Sequence, residues 1–200
     1  MTRVAALLMA AGNSRRMGGP NKFLLPFCGQ PLVAHAIAAV KHANFCARFM
    51  ITGRDHVEIA KFSADCGFQI IHNPNHELGF GTSLGAGFSA LLNAQNIDGG
   101  LVMLADMPLI TFDHLNALID AFAACKTPTI IRASNGGVAG NPVIIPQALF
   151  QDMARLDGEQ SGQTILKASG IPTHFVDIGP AAHADIDTPQ ALVALQEAVL

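Results

Sequence analysis

Apolar residues fall into two kinds of stretch along the chain, short continuous runs and longer segments with helical spacing. Continuous runs at 4–9 (Val-Ala-Ala-Leu-Leu-Met), 45–52 and 100–105 predict strands buried on both faces. Shorter runs at 68–71, 129–132, 143–145 and 173–178 predict four more. Between them the period lengthens. Val33, Ile37 and Val40 share one face of a helix that opens near Pro31 and Leu32, where proline suits a first helical position. Residues 55–65 and 111–125 predict two further helices, and 146–154 a short one. Thr188 and Pro189 supply an N-cap and a first turn for a terminal helix that packs Leu192, Leu195 and Val199. Residues 72–84 combine turn residues with a helix start. Residues 134–142 read as a glycine-rich loop near a ligand, although a surface hairpin has the same composition. Strand, helix, strand, helix, strand predicts a parallel sheet with right-handed crossovers.

Composition narrows the class. Two hundred residues fit a single domain, 1–200, with a substantial core. Half the residues are hydrophobic and 14% are charged, yet no apolar run approaches the length of a membrane helix, so a soluble globule is expected. The first residues lead directly into a strand without the features of a signal peptide, which places the protein in the cytoplasm. Net charge is −3, no basic stripe is present, and there is neither Trp nor Tyr for base stacking, so nucleic acid is not an expected partner. Cys28, Cys46, Cys66 and Cys125 form no C-x-x-C pair and are expected to be reduced and buried. His72 and His76 are four apart, but Pro74 between them argues against a zinc site. His35 and His42 read as surface or packing residues.

The candidate chemistry begins where the first strand ends. Small residues Ala10, Ala11 and Gly12 allow a ligand to approach the backbone, whose N–H groups can form an anion-binding concavity. Arg16 and Lys22 add the full positive charges that a triphosphate requires. The spacing excludes a P-loop, because five residues separate Gly12 from Gly18 and Phe23 follows Lys22; it also excludes the dinucleotide fingerprint. Further on, Gly79 and Gly81 permit close approach, while Thr82 and Ser83 suit either helix capping or ligand binding. Asp106 follows an apolar strand at the sheet edge where ligands bind, and is a candidate magnesium ligand; capping the helix near Thr111 is the alternative. Asp185 and Asp187, if extended, point to one side and could hold a cation or simply cap and solvate the last helix.

The run Ala10-Ala11-Gly12-Asn13-Ser14-Arg15-Arg16-Met17-Gly18, with Lys22 four residues on, resembles the signature Ala-Ala-Gly-x-Ser/Gly-x-Arg-Met-Gly-x-x-x-Lys of nucleotidyltransferases. It is most similar to the molybdenum cofactor cytidylyltransferase group and its molybdopterin guanylyltransferase relatives. Leu104-Ala105-Asp106-Met107-Pro108 resembles that family's metal-binding step, and Asp185-Ile186-Asp187-Thr188-Pro189 matches its Asp-Ile-Asp-Thr-Pro; the resemblance runs from about residue 4 to 189. It implies an α/β fold, a single-domain doubly wound (Rossmann-like), mostly parallel sheet with helices on both faces. It also implies transfer of a nucleoside monophosphate from a triphosphate to the terminal phosphate of molybdopterin, with release of pyrophosphate.

By the same resemblance Arg16 and Lys22 are catalytic. Ala10, Ala11, Gly12, Asn13 and Ser14 hold the nucleotide, with Gly79, Gly81, Thr82 and Ser83 against base and ribose. Mg²⁺ sits on Asp106 and Asp187, and Gly140, Asn141 and Gln163 lie near the acceptor. Relatives using GTP tend to read Leu-Ala-Gly-Gly and those using CTP Ala-Ala-Gly, so CTP is the favoured triphosphate, with a phosphorylated small molecule as acceptor and a molybdoenzyme or its chaperone as recipient. Two departures stand out: Ala139-Gly140-Asn141-Pro142 replaces Arg-Gly-x-Pro, and Glu159, Ser161 and Gln163 replace Asp, Gly and Arg. An amide cannot clamp a phosphate as a guanidinium does, so the acceptor differs or is held less tightly. Open alternatives are a GTP-using enzyme, a sugar- or polyol-phosphate nucleotidyltransferase, and a non-catalytic nucleotide- or cofactor-binding accessory.

Overall fold

All seven side chains of strand β1 (Val4–Ala10) are buried, and their alternation divides the protein into two apolar layers. Val4, Ala6, Leu8 and Ala10 face one layer; Ala5, Leu7 and Met9 face the other. The computed structural model describes residues 2–12, 14 and 17–199. After a small hairpin, β2 (Pro26–Phe27) with β3 (Gln30–Pro31), the chain enters α1 (Leu32–His42), β4 (Ala47–Thr52), α2 (His56–Lys61) and β5 (Phe68–His72). Helix α3 (Phe80–Asn93) then leads to β6 (Gly99–Leu104), and α4 (Phe112–Ala124) to β7 (Ile130–Asn135) and β8 (Val138–Pro146). Helices α5 (Phe150–Ala154) and α6 (Gly162–Ala168), strand β9 (Thr173–Asp177) and helix α7 (Pro189–Val199) complete it.

The seven main strands are ordered β5-β4-β1-β6-β8-β7-β9. Every neighbouring pair is parallel except β8, which runs antiparallel to both β6 and β7. Helices α1 and α4 cover the layer of Leu8, and α3 and α5 the layer of Leu7. This is the mostly parallel, doubly wound sheet expected from the sequence. The chain steps outward from β1 to β4 and β5, and α3 then returns it to β6 on the other side of β1. Chain order therefore reverses between β1 and β6, the switch point where open α/β sheets leave a crevice at the carboxyl ends of their strands.

Three expectations are corrected. Residues 134–142 take the hairpin of the two readings and not the loop: the turn is confined to Gly136 and Gly137, both at positive φ as a tight hairpin requires, and the rest belongs to β7 and β8. The register slips there, since Arg132 pairs with Val143 but Ser134 with Ala139, and residues 140–142 form a bulge. Residues 162–168 form an additional helix, with the Ser161 hydroxyl accepting from the Gln163 N–H at 3.2 Å. The cysteines are free, but Cys28 and Cys46 are exposed and Cys66 and Cys125 half-buried, because all four sit in turns or at the ends of elements. Among the described residues no helix is long and apolar enough to cross a membrane.

Candidate active site

At the carboxyl end of β6 the backbone turns, with Ala105 N–H donating to Met9 O at 3.1 Å, and leaves Asp106 beside the end of β1. Lys22 reaches the same place from a single 3-10 turn, Lys22–Leu24, whose N-cap Asn21 accepts from Phe23 N–H at 3.2 Å. That turn is fastened on two sides. The Ser14 hydroxyl accepts from Lys22 N–H at 3.0 Å, and the Asn21 amide donates to Arg54 O and Asp55 Oδ2, both at 3.3 Å. The third approach is the extended segment 185–187, where Ile186 N–H donates to Asp106 O at 3.0 Å. Ile186 is buried with Phe27 and Leu32, so its neighbours Asp185 and Asp187 turn the other way, into the crevice.

The Lys22 ammonium uses all three of its donors here: to Asp106 Oδ2, to Asp187 Oδ1 at 2.8 Å and to Ile186 O at 3.1 Å. Burial alone would lower the Lys22 pKa, but the charge and hydrogen bond of Asp106, reinforced by Asp187, hold it above the ordinary lysine value. Burial raises the Asp106 pKa, opposed by Lys22. Its second oxygen, Oδ1, is buried with no hydrogen-bond partner among the described residues. A buried, unmatched carboxylate oxygen is costly in water-free surroundings and is what a cation would satisfy. Among the described residues no three His, Cys, Asp or Glu side chains form a metal cage. Asp106 and Asp187 do fit the habit of Mg²⁺, which takes one or two carboxylates and completes its shell from substrate phosphates and water.

Around this cluster lies a cavity of about 420 Å³, within the range of small-molecule sites. Ala11, Gly12 and Ser14 form one wall, Gly79, Phe80 and Ser83 another, with His76, Glu159 and Asp185 at the rim and Met9, Phe23 and Leu104 as an apolar floor. The wall at the start of α3 is set by a close approach. Gly79 has φ +133° and a Cβ there would come within 2.4 Å of the Gly158 carbonyl; one on Gly81 would meet Asp157 O at 2.7 Å. These glycines let the 156–160 loop lie on the helix, which brings Glu159 to the cavity.

The structure thus brings together Lys22, Asp106, Asp187, Ala11, Gly12, Ser14, Gly79 and Ser83. Arg16 and Asn13 lie outside the described residues. Ala10 points into the layer below α1, not into the cavity, as alternation along β1 demands. Gly81 is spent on packing. Thr82 does not cap α3, whose N-cap Gly79 offers no side chain; its hydroxyl donates to Gly79 O at 2.8 Å and accepts from the Asn73 amide at 2.8 Å. Asn73 also donates to Ser83, at 2.9 Å, and is a buried positioning residue that sequence reasoning missed. His76 and Glu159 were missed as well, since only tertiary contacts bring them in. Asp106 caps nothing: the helix after it is capped by Thr111. Gly140, Asn141 and Gln163 are not among the residues that line the cavity; Gly140 O accepts from Arg132 Nε at 2.9 Å.

Comparison with known proteins gives a family and a shared fold. Purine catabolism protein PucB of Bacillus subtilis is 26% identical over 204 residues, covering 92% of this chain and 91% of that one. Bifunctional protein GlmU of Rhizobium etli is 35% identical over 128 residues, 63% of this chain but only 28% of GlmU, so this chain matches a minor part of that relative. Among solved structures, Rv0371c of Mycobacterium tuberculosis superposes with a TM-score of 0.84 at 21% identity over 98% of both chains; its manganese complex gives 0.77 over 98% of this chain and 99% of that one. These last show a shared fold. Residues 6–174 match the MobA-like NTP transferase domain, and the chain belongs to that family.

Proposed function

We propose that this protein is a Mg²⁺-dependent nucleotidyltransferase that moves CMP from CTP to a phosphate acceptor, the terminal phosphate of molybdopterin carrying molybdenum, and releases pyrophosphate. The observation that carries it is Lys22, whose ammonium is shared by Asp106 and Asp187 at the switch point of the sheet. Two carboxylates and a lysine on one small cavity suit a bound cation beside a polyphosphate. Family membership and the manganese complex of Rv0371c support a divalent metal.

The chemistry asked of the chain is positioning and charge neutralisation. An acceptor phosphate oxygen attacks the α-phosphorus, a new P–O bond forms, and the bond to the β-phosphate breaks with pyrophosphate taking the electron pair. The acceptor needs no general base, because a phosphate monoester has a second pKa of about 6. Lys22 steadies the charge that grows on the leaving pyrophosphate. A divalent cation on Asp106 and Asp187 would supply neutralising charge to the triphosphate. Ala11 lines the cavity, and its methyl in place of a hydrogen favours the smaller pyrimidine base by about 1–3 kcal/mol at most.

The test is pyrophosphate release from Mg²⁺, molybdopterin and each of the four triphosphates in turn. CTP should give the fastest release, and omission of molybdopterin should abolish it. Release that is equal for wild type and Asp106→Asn, or absent with every triphosphate, would exclude this function.

A further inference from the structure

Arg132 is a cation that the reaction outlined above does not use. It lies on the sheet face of Ile130 and Val143, half-buried, with Nε donating to Gly140 O at 2.9 Å across the β8 bulge. With the Gln163 amide turned so that its oxygen faces the guanidinium, both terminal nitrogens donate to that oxygen, at 2.8 and 3.1 Å. Three of the five N–H bonds are thus used, and one on each terminal nitrogen has no acceptor among the described residues. No described carboxylate lies within 4.0 Å. Burial draws the Arg132 pKa below the ordinary arginine value, as desolvation of a charge does.

Neither brace lines the cavity, but each adjoins a segment that does. Gln163 opens α6 directly after the loop that carries Glu159, and Gly140 abuts Ala182, three residues before Asp185. The rest of the cavity is acidic: among the described residues that line it, Lys22 is outnumbered by Asp106, Glu159, Asp185 and Asp187. Lys22, the cation among these described residues, is already divided between two of them, so a further positive group would favour an anionic acceptor.

We propose that Arg132 grips an oxyanion, phosphate or carboxylate, on the acceptor substrate, while Gln163 and the Gly140 carbonyl fix the plane of its guanidinium. This rests on the nucleotidyl-transfer function proposed above. A braced guanidinium keeps its free donors aimed before the ligand arrives, which lowers the ordering cost of binding. Gln163 is then a positioning residue.

The test uses the full chain saturated with Mg²⁺ and a non-hydrolysable CTP analogue, so that added anions cannot enter the triphosphate site. Inorganic phosphate and, separately, acetate are titrated by calorimetry into wild type, Arg132→Gln, Arg132→Lys and Gln163→Ala. Wild type should bind at least one of the two saturably, and the preferred anion tells whether the acceptor offers a phosphate or a carboxylate. Arg132→Gln should weaken that binding by about tenfold or more, Arg132→Lys by less, and Gln163→Ala by a few-fold, with affinity for the analogue changed by less than about twofold throughout. Equal anion affinity in wild type and Arg132→Gln, or binding of neither anion by wild type, would overturn the assignment. If no nucleotide binds at all, the proposed function falls, while the phosphate titration of nucleotide-free wild type against Arg132→Gln still decides the anion site. A bulge brace alone would change melting temperature and leave anion affinity untouched.

Discussion

Lys22 and Asp106 depend on each other in a way that a sequence motif does not convey. With side chains 8% exposed on each, removing either partner strands a buried charge. Such loss costs on the order of 3–5 kcal/mol, far more than an exposed pair would. Lys22→Met should therefore lower both turnover and stability, and because it empties the space between Asp106 and Asp187, Mg²⁺ or Mn²⁺ alone should raise its melting temperature more than that of wild type. Asp106→Asn should lower turnover by roughly a hundredfold or more and abolish the metal effect on stability. Thermal melts with and without metal, beside pyrophosphate assays, read both; a Lys22→Met melt indifferent to metal would mean that Lys22 is not standing where a cation binds. At this scale the sequence singled out Lys22, Asp106 and Asp187, Asp106 by its place after an apolar strand and the other two by the motifs they sit in, and the fold brings the three together. The period of two along β1 turns the Ala10 side chain into the layer below α1, away from that of Ala11. Asn73 and His76 left no local signal of this role and Glu159 showed only as a departure from a family segment, their placement depending on segments that meet only in three dimensions.

Helix α4 shows how an element's end can make the protein pH-sensitive away from the site. Thr111 Oγ1 accepts from His114 N–H, and His114 Nδ1 accepts in return from Thr111 N–H, both at 3.3 Å. This is a capping box with histidine in the place usually taken by Glu or Gln. Burial lowers the His114 pKa from its ordinary 6.5, opposed by Asp113. The folded state thus binds this proton less readily than the unfolded chain. Its contribution to stability is present above about pH 6.5 and is lost as pH falls through the depressed value. A protonated Nδ1 cannot accept, so up to about 1 kcal/mol of capping should disappear. Urea unfolding near pH 7.5 and pH 5 should show that loss in wild type and not in His114→Gln, which retains the box at both; parallel losses would exclude the cap as its source. The helix itself was legible, being strongly periodic with a good N-cap. The β7–β8 hairpin was open only as an alternative to a loop, because its alternation is broken by a three-residue bulge and a two-glycine turn. Helix α6 was hidden by its length of seven residues, too short for a periodic signal.

Over the whole molecule, topology and charge act on the same crevice. The switch between β1 and β6 opens it, and the parallel order that creates the switch was readable from strands alternating with helices. Its electrostatics were less readable, since Glu159, Asp185 and Asp187 are remote in sequence from Asp106, and only their convergence makes the cavity acidic. A net charge of −3 gives no warning of this. At an effective dielectric of 20, a pair of unit charges 4 Å apart interacts by about 4 kcal/mol, so a triphosphate entering among these carboxylates meets repulsion that Lys22, the cation among the described lining residues, does not offset by itself. Divalent metal should therefore be required for binding the nucleotide, and not only for the chemical step. Chelation with EDTA is expected to weaken CTP binding, followed by calorimetry at fixed ionic strength, by roughly a hundredfold or more. Mg²⁺ or Mn²⁺ should restore it, with the charge on the metal mattering more than its identity because all the protein donors are carboxylate oxygens. CTP affinity that survives EDTA unchanged would mean that the four acids do not face the phosphates, and the nucleotide would have to enter this cavity in another orientation.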